Sequence, residues 1–275
     1  MSERNLQGYG GNPPAVTWPD GARVAVSFVV NVEEGAELSI ADGDERNEHL
    51  YEINEEVVGA PDLCMTSHFG YGTRSGYQRI AEILSRHRVP ATFSCCGKSG
   101  ERNPWLIQEA AASGHEISCH SWRWERHAGM AEDQERETIA KTHAVLANLA
   151  GTAPVGWHTR SSATPNTRRL LVAHGGFAYD SDAYDDDIPY VERIGGQDHI
   201  VLPYAFDTND MRFAPGGGFI HGDDMVRYCL AAYDQLLHEG NAQPRMLSIG
   251  LHLRLIGRPG RIAALDALIS AIRDR

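Results

Sequence analysis

The sequence lacks the features of membrane, secreted and nucleic-acid-binding proteins. No apolar run approaches the ~20 residues that a membrane-spanning helix needs. The start, MSERNLQGYGGNPP, has no apolar segment of the kind found in a signal peptide. Basic residues are few, with 25 Lys and Arg against 37 Asp and Glu, so no basic stripe is available to neutralise phosphates. We expect a cytoplasmic protein that binds neither nucleic acid nor a membrane.

Cysteines and the common nucleotide and nucleophile motifs are also scarce. The five cysteines are odd in number and include the adjacent pair Cys95 and Cys96, which indicates reduced, mostly buried thiols rather than disulfides. Cys119 abuts His120, but no clear Cys–His dyad is present. The sequence has no G-x-S-x-G elbow, no P-loop and no G-x-G-x-x-G after a predicted strand. Serine acyl transfer, phosphoryl transfer and dinucleotide chemistry are therefore disfavoured.

The 275 residues, 42% of them hydrophobic, can bury one substantial core. Apolar runs predict strands at 23–31, 90–96, 115–119, 155–158, 176–179, 200–205 and 246–252. Helical patterns are predicted at 46–57, 73–88, 104–113, 133–150, 165–174, 222–239 and 260–273. The alternation favours a mostly parallel sheet, open or closed into a barrel. The Gly/Pro-rich start predicts an irregular arm on the surface or on a neighbouring subunit.

Polar, titratable residues recur directly after the predicted strands. The run VAVSFVVNV ends in the adjacent carboxylates Glu33 and Glu34. Later strand ends supply His115, Glu116, His120, Arg123, Trp124, His158, Arg160, Asp207, Asn209, Asp210, Arg212, His252 and Arg254. Because barrel active sites collect at the carboxyl ends of strands, these side chains predict a single cluster.

Several of these residues also have a purely structural interpretation. His115 and Glu116 follow a turn glycine, and we expect them to be structural. His120 alone could be a buried core histidine. The acidic run at 180–187 is typical of a solvated loop, although Asp180 and Asp182 could bind a polar ligand.

The two adjacent glutamates are expected to have different roles. Adjacent residues that leave a strand point in different directions, so one carboxylate can face a pocket while the other braces a loop or binds a metal. A pocket carboxylate with its pKa raised by burial can act as a general base on water. His252 could protonate a leaving nitrogen, and arginines could hold an oxyanion.

These motifs resemble the polysaccharide deacetylase superfamily. The acidic pair matches Glu33-Glu34, the histidine motif matches HSWRW, the arginine matches Arg160, and the final histidine matches His252 in SIGLHLR. The resemblance implies an α/β fold, an irregular, partly closed (β/α) barrel of about seven strands. One catalytic domain would span residues 1–275, with the irregular arm at 1–20.

One branch of the superfamily fits more tightly. The stretches GYGGNPP, NVEEGAE, ERNP, GHEISCHSWRW, TPNTRRLL, DTNDMRF and SIGLHLRLIGRPGR together resemble its metal-independent allantoinases, over nearly the whole chain. This implies a hydrolase of carbon–nitrogen bonds that opens a cyclic amide ring, in allantoin or a related hydantoin, ureide or cyclic imide. It also implies a role in purine catabolism and a homo-oligomer, commonly a tetramer.

The expected metal site is incomplete. In the deacetylases, the second acidic residue and two histidines four apart bind a divalent metal. Here Glu34 and His120 hold two of these places, but Trp124 replaces the second histidine, and indole cannot ligate a metal. Two ligands remain where a catalytic zinc takes three. We therefore expect no essential cofactor. The alternative is a Zn or Mn ion bound by Glu34 and His120, with His158 as a further ligand.

The resemblance implies a mechanism in which Glu33 deprotonates water, Arg160 and backbone N–H groups stabilise the oxyanion, and His252 protonates the departing nitrogen. The predicted substrate-binding residues are Glu34, His120, Trp122, Trp124, His158, Asn209, Asp210 and Arg254. Two other functions stay open. One is a metal-dependent de-N-acetylase of an acetylated amino sugar or peptidoglycan fragment, and the other is a catalytically silent binding protein on the same scaffold.

Overall fold

A computed structural model describes residues 6–53 and 55–275, and its strands form one eight-stranded sheet. The strands are β1 (Val24–Val32), β2 (Thr92–Cys95), β3 (Glu116–Cys119), β4 (Gly156–Trp157), β5 (Tyr179–Asp180), β6 (Tyr190–Ile194), β7 (Gln197–Val201) and β8 (Arg245–His252). Their spatial order is β6-β7-β5-β4-β3-β2-β1-β8. Every pairing is parallel except the antiparallel β6–β7 hairpin.

Helices follow most of the strands and cover one side of the sheet. They are α1 (Leu63–Tyr71), α2 (Tyr77–His87), α3 (Gly97–Arg102), α4 (Pro104–Ala112), α5 (Glu132–Ala150), α6 (Thr167–His174), α7 (Gly222–Glu239) and α8 (Pro259–Arg273). A π-helical turn, Gly72–Gly76, joins α1 to α2. No helix in residues 6–53 or 55–275 combines the length and apolarity needed to cross a membrane.

The alternation of side chains along the strands gives the sheet two different faces. On β1, Phe28 and Val30 pack into the core shared with the helices. Ser27, Asn31 and the following Glu33 line cavities on the other face. Successive residues of a strand point to opposite faces, so one strand supplies both the core and the site. Burying each large apolar side chain contributes about 1.5–3 kcal/mol.

The predicted α/β fold, a curled and partly closed barrel, is confirmed, but the strand count was too low. The missed strand is β6, an edge strand whose side chains are exposed or half-buried and which therefore carries no strong apolar signal. Its turn is Gly195-Gly196, both with positive φ, a pair typical of tight hairpins. The strand predicted at 200–205 ends at Val201.

The helix predicted at 46–57 is wrong for the residues described in that range, which are irregular. The Asn47 amide there donates to the carbonyls of Val57 and Ala60, both at 2.8 Å, and so fixes a loop. The first long helix is instead α1, which begins after Asp62, whose carboxylate accepts from the Met65 N–H at 2.8 Å. The short helix α3 was also missed.

The N-terminal arm lies against the chain's own surface. The Trp18 indole donates to the Arg245 carbonyl at 2.8 Å, and Gln243 donates to the Pro14 carbonyl at 2.6 Å. The Tyr9 hydroxyl donates to Asp186. Residues 1–5 of the predicted arm lie outside the described residues. The five cysteines are free thiols, and four of them are buried, as the sequence predicted.

Candidate active site

An open pocket of about 580 Å³ lies at the carboxyl ends of the strands, where the sequence predicted a cluster. It is called the front pocket below. Its lining residues are Asn31, Glu33, Tyr51, His120, Trp124, Arg126, Ala128, His158, Thr159, Arg160, Ser161, Ser162, Ala163, Tyr204, Phe206, Asn209, Met211 and His252. Of the predicted site residues, it therefore includes Glu33, His120, Trp124, His158, Arg160, Asn209 and His252.

Glu33 is the charged centre of the front pocket. Its Oε2 accepts from Arg254 Nη1 at 2.6 Å, and its Oε1 lies 3.5 Å from Nε2 of both His120 and His252. Burial alone would raise the pKa of Glu33, but Arg254 and His252 outweigh it and hold that pKa well below its usual range. Glu33 is therefore ionised at neutral pH. The expectation that burial raises its pKa is wrong, because the sequence does not show the guanidinium beside it.

Arg254, predicted to bind substrate, fixes Glu33 and is not among the residues that line the front pocket. Its guanidinium also donates through Nε to Glu52 at 2.9 Å and lies 4.5 Å from the centre of the Phe69 ring. The side chain is almost fully buried. Two carboxylates thus hold one cation in a fixed position, and that cation orients one oxygen of Glu33.

His252 is held by Asp210. The Nδ1 atom of His252 lies 2.6 Å from Asp210 Oδ1, while Asp210 Oδ2 accepts from the backbone N–H groups of His252 and Ile256. Burial alone would lower the pKa of His252, but Asp210 and Glu33 raise it to about 10. The ring is therefore an imidazolium at neutral pH with Nε2–H near Glu33. Asp210, predicted to bind substrate, is fully buried behind the ring and is not among the residues that line the front pocket.

His120 and His158 form a stacked pair beside Glu33, with ring centres 5.2 Å apart. His120 Nδ1 donates to the His158 carbonyl at 2.8 Å, because a carbonyl can only accept. In the neutral ring, Nε2 then presents a lone pair next to Glu33. Burial holds the pKa of His158 well below its usual range, so His158 is neutral.

Trp124 and Arg160 form a flat layer in the pocket wall. The Arg160 guanidinium lies 3.4 Å from the centre of the Trp124 ring, and its Nη1 donates to Glu48 at 2.8 Å. Trp122, predicted to form a second flat wall, is not among the residues that line the front pocket. Its ring packs against the start of α3 and against α5, with Lys141 Nζ 3.5 Å from the ring centre.

Glu34, also predicted to bind substrate, lies against Gly72 and is not among the residues that line the front pocket. Its Oε2 accepts from the Glu33 N–H at 3.1 Å, and a Cβ at Gly72 would collide with its carboxylate. Among the residues described, Glu34 Oε1 has no hydrogen-bond partner. Burial raises the pKa of Glu34 to about 7. This carboxylate thus braces the π-helical turn, one of the two roles that the sequence suggested for the pair.

Comparison with known proteins identifies the family that has this architecture. The sequence model of the polysaccharide deacetylase family matches residues 59–179. A Schizosaccharomyces pombe protein that carries the polysaccharide deacetylase name is 35% identical, over 99% of this chain and 92% of its own. The chain belongs to the polysaccharide deacetylase family. Two solved structures, PuuE allantoinase and a probable polysaccharide deacetylase from Pseudomonas aeruginosa PAO1, are each 43% identical with TM-scores of 0.94. Both alignments cover 100% of this chain, and they cover 92% and 93% of those chains.

The residues present do not fit the divalent metal that deacetylases of this family generally use. Within residues 6–53 and 55–275, no group of three or more His, Cys, Asp or Glu side chains is arranged to hold a metal ion. Trp124 fills the place of the second histidine, and Glu34 is turned towards Gly72. Glu33 is already neutralised by a guanidinium at 2.6 Å, so a divalent cation would face a fixed positive charge.

Two residues that contact the predicted site residues were not identified from the sequence, Tyr204 and Glu52. The Tyr204 hydroxyl accepts from the side-chain amides of Asn31 and Asn209 at 3.1 and 3.0 Å, and its ring packs on His158. Tyr204 fell inside the strand predicted at 200–205 and could have been found by its nearness to that strand's end. Glu52 had no such signal, because it lies in an irregular loop.

A buried polar chain supports the pocket wall from behind. His127 lies with Nε2 2.7 Å from Ser121 Oγ and Nδ1 3.0 Å from Glu135 Oε1. The His127 backbone N–H donates to Ser162 Oγ at 3.1 Å. The hydroxyls of Thr164 and Thr167 also donate to Glu135. Helix α5 is thereby tied to both chain segments that carry the wall.

We expect His127→Phe to lower the free energy of unfolding by about 1–3 kcal/mol, because it removes two buried hydrogen bonds, one with Ser121 and one with Glu135. Urea unfolding would measure the loss. The matched control is His49→Phe at an exposed histidine, which should change stability by less than about 0.5 kcal/mol. Equal stabilities for the two variants would contradict a supporting role for the chain.

Proposed function

We propose that this protein hydrolyses a cyclic amide, opening the ring of allantoin or a related hydantoin, ureide or cyclic imide. The observation that carries the proposal is the pair of opposite charges on Glu33 and His252. A carboxylate and an imidazolium lie 3.5 Å apart in the front pocket, with Arg254 in place of a metal. The full-length similarity to PuuE allantoinase supports the same substrate class.

In this mechanism the attacking water donates one hydrogen to Glu33 Oε1 and the other to His120 Nε2. Both atoms act as acceptors, so the lone pairs of the water are left to face the ring carbonyl. Glu33 takes a proton as the C–O bond forms. His252 Nε2–H gives a proton to the ring nitrogen as the C–N bond breaks. The products are a carboxylic acid and a free N–H group, and transfer of the proton from Glu33 to His252 restores the starting state.

The oxyanion requires a separate stabilising group, and we assign it to Arg160. Its Nη1 donates to Glu48 and to the Trp124 carbonyl, and the side chain lines the front pocket. The flat Trp124–Arg160 layer suits a planar ring. Asn209, which donates to Tyr204, is a further candidate for recognising ring polar groups.

The full-length similarity to PuuE allantoinase also supports the remaining features of the proposal. They are one catalytic domain spanning the chain with a surface arm, a role in purine catabolism within the cytoplasm, and a homo-oligomer. The alternative is a metal-dependent de-N-acetylase, favoured by the deacetylase names of two relatives and disfavoured by Trp124.

The deciding experiment is ring opening of allantoin by chelator-treated enzyme whose metal content has been measured. We expect allantoate to form at the same rate before and after the treatment, because no step uses a metal. Acetylated amino sugars, assayed with and without added zinc or manganese, serve as the comparison substrates. Turnover that appears only after metal is restored would contradict the proposed mechanism.

A further inference from the structure

A second cavity lies beneath the front pocket on the same face of the sheet. It has a volume of about 80 Å³ and is called the rear cavity. Its lining residues are Ser27, Val29, Thr92, Ser94, Glu116, Ser118, Trp157, His158, Tyr179, Ser181, Leu202, Pro203, Tyr204, Met246 and Ser248. Five serines line a space that closed barrels fill with bulky branched side chains.

Four of these serines lie on strands β1, β2, β3 and β8, and Ser181 directly follows β5. Ser118 lies two residues before His120 on β3, and Ser248 lies four residues before His252 on β8. Even spacing keeps these residues on one face of each strand. The hydroxyls therefore form a polar column that runs from the rear cavity towards the acid–base groups.

Buried polar atoms around this cavity need a partner. Ser94 Oγ and His158 Nδ1 have no hydrogen-bond partner among the residues described, and both side chains are more than nine-tenths buried. An unsatisfied buried polar group costs about 1–3 kcal/mol. A polar cavity of 80 Å³ can hold two or three waters at about 30 Å³ each, which would satisfy these atoms.

The rear cavity shares its walls with two other spaces. His158 and Tyr204 line both the front pocket and the rear cavity. On the other side, Pro203, Met246 and Ser248 line both the rear cavity and an open cleft of about 240 Å³, called the side cleft, whose walls also carry Asp186, Asp187, Asp207 and Glu239. Tyr204 lines all three spaces, which therefore lie side by side between the side cleft and the front pocket.

We propose that the rear cavity is a water conduit, which supplies the hydrolytic water from the side cleft while substrate closes the front pocket. The proposal rests on the proposed function only in requiring a hydrolysis. Each turnover consumes one water, whose oxygen enters the new carboxyl group. A bound ring that fills the front pocket blocks resupply from that side, so a route behind His158 and Tyr204 keeps water available next to Glu33.

The test is a size series at Ser248, the junction of the rear cavity and the side cleft. Ser248→Leu should block the passage and lower kcat by about tenfold or more with KM nearly unchanged. The matched control, Ser248→Ala, keeps the passage open and should retain the wild-type kcat. Ser27→Leu provides a second block at the neighbouring strand position, since Ser27 pairs with Ser248 and is only half-buried.

A measurement without substrate separates this proposal from the proposed function. Magnetic relaxation dispersion of ¹⁷O-labelled water counts long-lived internal waters, and we expect fewer in the two leucine variants than in Ser248→Ala. An unchanged count overturns the conduit, as does a wild-type kcat in both leucine variants once their folding is confirmed by melting. If the wild-type protein does not open allantoin, the proposed function fails, and the water count still decides the nature of the cavity.

Discussion

Glu33→Gln is expected to lower kcat by about 10²–10⁴-fold while substrate affinity changes only slightly. Glutamine has nearly the same shape as glutamate but cannot accept the proton of the attacking water. The variant also leaves the His252 imidazolium without the carboxylate that lies 3.5 Å from it. Steady-state kinetics gives kcat and KM, and calorimetric titration with substrate gives the affinity directly.

Two controls make this result specific. Glu34→Gln removes the neighbouring carboxylate, which braces the π-helical turn and lies outside the front pocket, so its kcat should stay within about tenfold of the wild-type value. Melting curves are needed for Glu33→Gln, because removing one partner of a buried ion pair destabilises proteins by about 3–5 kcal/mol. A folded Glu33→Gln variant with normal turnover would exclude Glu33 as the base.

Asp210→Asn is expected to move the alkaline limit of activity to lower pH. In the wild-type protein the pKa of His252 is raised from 6.5 to about 10, so its acid form is complete at neutral pH and is lost as the pH rises through about 10. After burial, Asp210 is the largest influence on this pKa and raises it. Without that charge the limit should fall towards 6.5, and kcat/KM at pH 9 should drop at least about tenfold.

The pH profile of kcat/KM between pH 6 and 11 measures this shift. Asp207→Asn is the matched control, because it removes the same charge three residues earlier from an exposed aspartate. The same linkage affects stability: the raised pKa of His252 stabilises the fold fully below pH 6.5, and this contribution disappears as the pH rises through about 10. An alkaline limit that is the same in Asp210→Asn and the wild type would rule out His252 as the acid.

The sequence located the centre of the site because three of its residues follow apolar strands. Glu33, His120 and His252 all stand at such positions, and parallel strands bring their carboxyl ends together. The partners of these residues were not predictable in the same way. Arg254 reaches Glu33 across 221 positions of the chain, and Asp210 reaches His252 across 42. Neither spacing repeats a local pattern, so only the fold reveals these contacts.

The two tryptophans show where strand periodicity stops. Trp122 and Trp124 are two residues apart and would share a face if β3 continued through them. The strand ends at Cys119, and Ser121 adopts a left-handed conformation with φ of 64°. The turn separates the two rings, so that one joins the front pocket and the other packs on α5. No residue type in HSWRW marks this turn, since serine rarely adopts a positive φ.

The cation beside Glu33 is part of the polypeptide. A guanidinium attached to Arg254 is present in every folded molecule in a ratio of one to one, without a loading step. Dialysis and chelators cannot remove it, and competing ions cannot replace it. Assembly of the charged centre is therefore tied to folding of the chain alone, and its charge stays constant across the pH range in which Glu33 and His252 change theirs.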